Sequence, residues 1–233
     1  MSAAPARPGA VLALWNGVDQ HRAAEYERWH TLEHVPQRVG VPGFLAGTRY
    51  ASAGTGPTVY FTLYELASLH CLESQAYRDL VSAPTPWSAA MRPALQGFVR
   101  KPCVLAADLG GGAAVGIVAL RVVPAHAGRD ASNEALHRLA EDAWRGRDAR
   151  FITRVQVGTV APAGPQALAN VDSAPPGPEL LLLVQTSKPE HLGGLEQDLV
   201  RLCRRMLGES AWVQHGSFHL ASRIEHREAL AVF

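Results

Sequence analysis

Charge is scarce in this chain. Aspartate, glutamate, lysine and arginine make up 18% of its 233 residues, against about 25% in an average globular protein. The 22 basic and 21 acidic residues nearly cancel, leaving a formal net charge of +1. Such a balance offers neither the basic stripe that grips a nucleic acid nor the polybasic surface that sits on an anionic membrane. Cysteine is rarer still. Cys71, Cys103 and Cys203 lie far apart with no C-x-x-C pair, which argues against a disulfide framework and a cysteine zinc knuckle. Long apolar runs are missing too: the longest, near Val11 to Trp15 and Leu180 to Val184, are strand-sized and far short of the ~20 residues of a membrane helix. Residues 1–9 are rich in Ala and Pro, without a basic stretch leading into an apolar one, so no secretory leader is expected. These absences leave a cytoplasmic protein that touches neither nucleic acid nor membrane, with a disordered tail over 1–9.

What is present is a core-forming pattern, 47% apolar, and an order of elements that occurs twice. Ala10 to Trp15 reads as a buried strand. Asp19 is placed to cap a helix running to about Val35, which Pro36 should end or kink. Phe44 to Ala53 and Thr58 to Leu66 read as a hairpin around Gly54-Thr55-Gly56-Pro57. Helical stretches near 68–81 and 87–95 follow, then a strand over Phe98 to Ala107. Asp108-Leu109-Gly110-Gly111-Gly112 reads as a linker. Beyond it come a strand (Val115 to Val123), a helix with Ala135, Leu136, Leu139, Ala140 and Ala143 on one stripe, and a strand over Phe151 to Val160. The loop Ala161 to Pro178, long enough to be either mobile or functional, a strand (Leu180 to Thr186), a helix with Leu192, Leu195, Leu199, Leu202 and Met206, and a strand from Trp212 to Ser222 complete it. Each half is strand-helix-strand-strand-helix-strand. The expected fold is therefore α+β: two tandem ferredoxin-like βαββαβ repeats, 10–107 and 113–233 joined by 108–112, forming an internal, pseudo-dimeric α/β barrel. A further homodimer stays open.

The residues suited to chemistry concentrate in Tyr26-Glu27-Arg28-Trp29-His30-Thr31-Leu32-Glu33-His34-Val35-Pro36. On a helix, Tyr26, His30, Glu33 and His34 share one face, where a phenol, two imidazoles and a carboxylate converge. Imidazole is the side chain best suited to moving a proton near neutral pH; the plain alternative is a pair of histidines favoured at a helix end by the dipole. His30-x-x-Glu33-His34 also matches the inverted zinc-peptidase pattern, but no third ligand or partner motif accompanies it, and no metal is expected. On the third strand Tyr60, Thr62 and Tyr64 alternate with apolar neighbours, offering aromatic walls and hydroxyls to a pocket on the helix side, or simply filling it. His215, Ser217 and His219 share a face of the last strand, with the two imidazoles roughly 13 Å apart at ~3.3 Å per residue, too far to share a metal. Either could serve a haem, but solvated or structural histidines are the plainer account. Cys103 and Cys203 read as buried, inert thiols, and Arg201, Arg204 and Arg205 as a solvated helix face.

The run W-H-x-x-E-H-x-P followed by V-P-G-F, carried by Trp29, His34, Pro36, Pro42, Gly43 and Phe44, resembles the EthD-type group of the dimeric α/β-barrel superfamily. The resemblance covers roughly residues 10 to 105; the second half has neither H-x-P nor P-G-F. It implies a pocket between sheet and helices into which His34 points. The superfamily hosts cofactor-free monooxygenases, isomerases, cyclases and haem proteins, so the fold does not choose the reaction. The expectation is an enzyme that needs no cofactor and acts on a small apolar or aromatic carbonyl compound. His34, His30 and Glu33 would be its acid/base group, and Tyr26, Trp29, Tyr60, Tyr64 and Phe44 its substrate contacts. The alternatives are a non-catalytic small-molecule binding protein and a haem- or metal-binding relative.

Overall fold

The computed structural model describes residues 7–52, 56–126 and 132–231. Most of the tail expected over 1–9, and residues 53–55 of the first hairpin, therefore lie outside the described residues. Strand β1 (Ala10–Val18) sends Val11 and Ala13 to one side and Leu12 and Leu14 to the other, as strand alternation requires. Asp19 accepts the His21 amide and starts a 3-10 turn (Gln20–Arg22). This turn leads into α1 (Ala23–Trp29), a π-helical turn (His30–His34) and α2 (Val35–Val39). Strands β2 (Phe44–Ser52) and β3 (Tyr60–Leu66), a 3-10 turn (Leu69–Glu73), α3 (Gln75–Ser82), α4 (Pro86–Met91) and β4 (Leu95–Gly110) finish the first unit. The second comprises β5 (Gly116–Val123), α5 (Asn133–Arg145), α6 (Arg147–Arg150), β6 (Ile152–Val160), β7 (Leu180–Thr186), α7 (Leu192–Leu207) and β8 (Trp212–Glu225), followed by α8 (His226–Ala229).

Every strand pair is antiparallel, and the strands close into an eight-stranded barrel in the order β1-β3-β2-β8-β5-β7-β6-β4. Within it the two units carry the same internal order, β4-β1-β3-β2 and β8-β5-β7-β6, and each edge strand finds its partner in the other unit. The ring thus closes inside one chain, with the seams β2–β8 and β4–β6 standing where two subunits would meet. Val11, Ala13, Tyr50, Phe61, Leu63, Cys103, Ile117, Ala119, Leu181, Leu183 and Phe218 fill the inside, and the helices cover the outside. Buried charges cross-link the strands: Lys101 and Arg121 pair with Asp172 and Glu179, and Arg154 with Glu65 and Asp108.

Two local expectations change. Pro36 does not end its helix, which runs on to Val39. The wide turn before it bonds Val35 N–H to the His30 carbonyl, and this slip of register falls where proline can offer no N–H and would crowd the preceding turn. Asp108, Leu109 and Gly110 are not linker but the end of β4, paired with Gln156, Val155 and Arg154. Arg154 Nε and Nη2 each donate to the Asp108 carboxylate at 2.8 Å. Gly110 is needed for proximity, because a Cβ there would stand 2.2 Å from the Thr153 carbonyl. The thiols of Cys71, Cys103 and Cys203 are free and buried, and burial pushes Cys203 up to about 12.

Candidate functional site

The π-helical turn decides how the histidines are presented. Tyr26, His30 and His34 form one ladder: the His30 ring stacks on Tyr26 at 4.9 Å and 19°, and on His34 at 4.9 Å and 21°. Trp29 closes the side of the ladder, 4.2 Å from the His34 ring. Such turns recur at functional sites because they displace side chains from the regular helical register. Tyr26 O–H donates to Asn16 Oδ1 (3.3 Å), which fixes the foot of the ladder against β1. Arg49, from β2, lies 5.8 Å over the Tyr26 ring and is itself paired with Glu27 at 2.7 Å.

The two imidazoles differ in what they can do. Arg38, one turn on from His34, places Nη1 3.0 Å from His34 Nδ1. A guanidinium only donates, so Nδ1 of His34 must accept and the ring proton must sit on Nε2. Burial, then the Arg38 charge, keep this ring neutral, well below its ordinary value. His34 is therefore an N–H donor whose basic lone pair is already engaged. His30 is buried, its Nδ1 has no hydrogen-bond partner, and burial followed by the charges of Arg49 and Arg38 keeps it neutral as well. It is the imidazole with an uncommitted nitrogen.

Both rings border a cavity of about 60 Å³ between sheet and helices, room for about two waters. Asn16 and Thr62 from the sheet, Tyr77 from α3, and Arg38, Arg92 and Arg100 line it as well. Its roof comes from the other unit: Pro165, Ala167 and Leu168 of the long β6–β7 loop. That loop is tied down along β4. Val171 N–H donates to the Phe98 carbonyl (2.8 Å), Arg100 N–H to Asn170 Oδ1 (2.8 Å), and Arg100 Nη1 to the Ala163 carbonyl (2.8 Å). Gly164 permits the approach, with φ +68° and the Leu72 carbonyl 2.4 Å from where a Cβ would stand.

Several residues expected at the site lie elsewhere. Glu33 turns from the histidines to α4, accepting Thr85 Oγ1 (2.6 Å) and Ser88 Oγ (3.1 Å). Ser88 also receives the Trp29 indole N–H (3.1 Å). This carboxylate holds a helix start and is not paired with His34, and among the described residues no three metal-ligating side chains converge. Trp29, Tyr26 and Tyr60 form a buried cluster with Met91 outside the cavity lining, so Tyr26 supports the ladder without bordering the cavity. Tyr64 and Phe44 pack together in the core at 5.5 Å, with the Tyr64 hydroxyl buried and unpartnered. Arg38, Arg92 and Arg100 were not singled out from the sequence, and the roof loop stood out there only by its length. The signals were Arg38 four residues beyond His34, and Arg100 beside Lys101 amid the apolar residues of one strand.

The second unit has no such site. Strand register makes Thr62 equivalent to Leu182, as partners of Leu14 and Leu120, and Asn16 equivalent to Val122, as partners of Tyr60 and Leu180. The space under its helices is filled by Leu136, Leu139, Leu195 and Leu199. His215 occupies the position of Arg100, both pairing with the matching β1 or β5 leucine. It is exposed, with Nδ1 and the Ser217 hydroxyl both bound by Glu196. It borders a wider hollow of about 600 Å³ at the barrel mouth. Haem does not fit there. Arg121, the guanidinium lining that hollow, already donates to Glu179, Gln214 and Asp172, so the described lining offers propionates no free guanidinium.

Neither a protein-family profile nor a curated protein sequence matches the chain. Solved structures match it in shape. An anthrone oxidase-like protein aligns over 94% of both chains with TM-score 0.61 and 12% identity. A protein of Fusobacterium nucleatum named as a candidate monooxygenase aligns over 94% of this chain and 95% of its own, with TM-score 0.57 and 11% identity. A haem-binding protein of Thermus thermophilus aligns over 97% and 95%, with TM-score 0.50 and 10% identity. At such identities the likeness establishes the fold: ferredoxin-like units closing a dimeric-type α/β barrel. No helix among the described residues is long and apolar enough to cross a membrane.

Proposed function

We propose that the chain is an EthD-like enzyme of this barrel fold, acting by proton transfer on a small aromatic or apolar carbonyl compound without help from a cofactor. His30 takes the proton. His34 Nε2–H and the Arg38 guanidinium stabilise the oxyanion that forms as the proton leaves, the role that preorganised donors play in a dry site. Isomerisation, cyclisation and cofactor-free oxygenation all begin with this deprotonation, so the site supports the class without choosing among its members. The observation that carries the reading is the neutral His30 ring beside the cavity, clamped between Tyr26 and His34, with a nitrogen left unpartnered. A buried polar atom without a partner is costly unless a ligand satisfies it. The cavity has room for only about two waters as it stands, so substrate enters when the 163–168 roof lifts.

The test is incubation with small aromatic ketones in deuterated water, following deuterium uptake at the acidic carbon by NMR. The wild type is expected to accelerate exchange and His30→Gln to remove about 10²- to 10⁴-fold of the rate. His34→Gln, which retains an N–H, is expected to lose less. Ketones that stabilise the protein without exchanging would instead make it a non-catalytic binding protein. Equal rates for wild type and His30→Gln would end the assignment of His30.

A further inference from the structure

Buried cations elsewhere in this chain are neutralised by carboxylates. Arg49 has Glu27, Lys101 and Arg121 have Asp172 and Glu179, and Arg154 has Glu65 and Asp108. Arg38 and Arg100 are as deeply buried, 7% and 8% exposed, yet among the described residues neither has a carboxylate within salt-bridge distance. Both line the cavity of about 60 Å³, together with Arg92, which likewise lacks an acidic partner among the described residues. Arg100 Nη1 is used by the Ala163 carbonyl, while its Nη2 is fully buried and has no partner. Burial and the nearby charge of Arg38 hold Arg92 below its ordinary value. The two histidines supply no counter-charge, because both are neutral.

Guanidinium groups gathered around one small space without a carboxylate form an arrangement that proteins seldom leave uncompensated, since each charge loses hydration and recovers only hydrogen bonds to neutral acceptors, Arg38 to His34, Arg92 to the Val81 carbonyl and Arg100 to the Ala163 carbonyl. A resident anion resolves it. We propose that this cavity is an anion site and that its ligand is an organic carboxylate, held by Arg38, Arg92 and Arg100. The apolar part of the ligand would lie against Leu14, Phe98 and the Leu168 roof. The apolar side chains that share the lining, among them Leu12, Leu14 and Phe98, suit an acid with an organic body over inorganic phosphate. Guanidinium and carboxylate also match as planar forks. The inference rests on the preceding reading that this cavity takes the ligand, and narrows it to carbonyl compounds that also carry an acid. Its test reads binding alone, so it stands or falls apart from proton transfer by His30.

Benzoate, its neutral isostere benzamide and inorganic phosphate are titrated separately into the wild-type chain at constant ionic strength, with binding read by calorimetry and thermal unfolding. Benzoate is expected to bind saturably and raise the unfolding temperature, with benzamide and phosphate at least tenfold weaker. Arg100→Gln and Arg38→Gln, each shown to be folded by circular dichroism, are expected to weaken benzoate at least tenfold. Benzamide binding as well as benzoate would overturn the proposal, as would phosphate matching benzoate. Comparison of the ligands on the wild type decides the matter even where a variant fails to fold.

Discussion

Acidification should destabilise this protein well above the range in which carboxylates titrate, and the two stacked imidazoles set the size of the effect. His30 and His34 are both held well below their ordinary value of 6.5. Burial is the first cause, followed for His30 by Arg49 and Arg38, and for His34 by Arg38, His30 and Arg92. In the unfolded chain each takes up a proton near pH 6.5; in the folded chain neither does until the pH is much lower. The unfolded state therefore binds more protons over that interval, and stability must fall as pH falls. For one such ring, acidification from about pH 7.5 to about pH 5.5 removes roughly 1.4 kcal/mol, and for two roughly 2.7 kcal/mol. Asp172 belongs to a separate, more acidic window: burial opposes its ionisation, but hydrogen bonds from Lys101 and Arg121 hold it low. Urea unfolding at a series of pH values measures the loss, and His30→Gln should cut it to roughly half, about 1.4 kcal/mol. Constant stability between about pH 7.5 and pH 5.5, or an undiminished loss in His30→Gln, would show that the rings are not enclosed as neutral groups.

Two substitutions probe the frame around the site. Gly164→Ala puts a side chain at φ +68° with its Cβ 2.4 Å from the Leu72 carbonyl, so undocking of the roof should become easier by at least about 1–2 kcal/mol. Hydrogen exchange at Val171, whose amide is bonded to the Phe98 carbonyl, should then quicken at least about fivefold; unchanged protection would refute the loop's role as a roof. Gly158→Ala drives a Cβ to 2.1 Å from the Val104 carbonyl at the β4–β6 seam, where backbone faces backbone. A loss of about 3 kcal/mol or more in denaturant unfolding is expected. Gly111→Ala, which meets open space, should change stability by less than about 0.5 kcal/mol.

The architecture was legible because it is written in alternation and element order. Leu180 to Thr186 is legible in the sequence to the residue, since the apolar run Leu180 to Val184 between turn residues has few other uses. The stripe on α7 was legible for the same reason. What alternation cannot encode is a pairing between distant strands: Asp108 to Gly110 reads as a linker because the partner that makes it a strand, β6, begins some forty residues later. The ladder of Tyr26, His30 and His34 was visible as a spacing of four. The π turn that lets Pro36 stay helical and the turning of Glu33 toward Thr85 depend on what α4 brings close. Arg100 was invisible for a related reason. Its meaning lies in a missing partner, and a sequence does not show which charges go unpaired.

The same accounting explains why one unit carries a polar cavity under its helices and the other does not. A barrel closed by two equal units would have two equivalent spaces under its helices, each open at the edge strand beyond the seam. In this chain the β6–β7 loop of the second unit, Ala161 to Pro178, extends across that opening in the first unit and bonds to β4. The β2–β3 connection that would do the reverse spans only residues 53–59. A space without a roof cannot hold neutral imidazoles or unpaired arginines in the dry surroundings that give them their chemistry. Filling it with leucine is the stable alternative, and Leu182 and Val122 stand where Thr62 and Asn16 stand in the first unit. The second unit thus serves the site of the first by closing the barrel and by covering the cavity. Cutting the chain between the units should therefore remove ligand binding even if the first unit keeps its own strands.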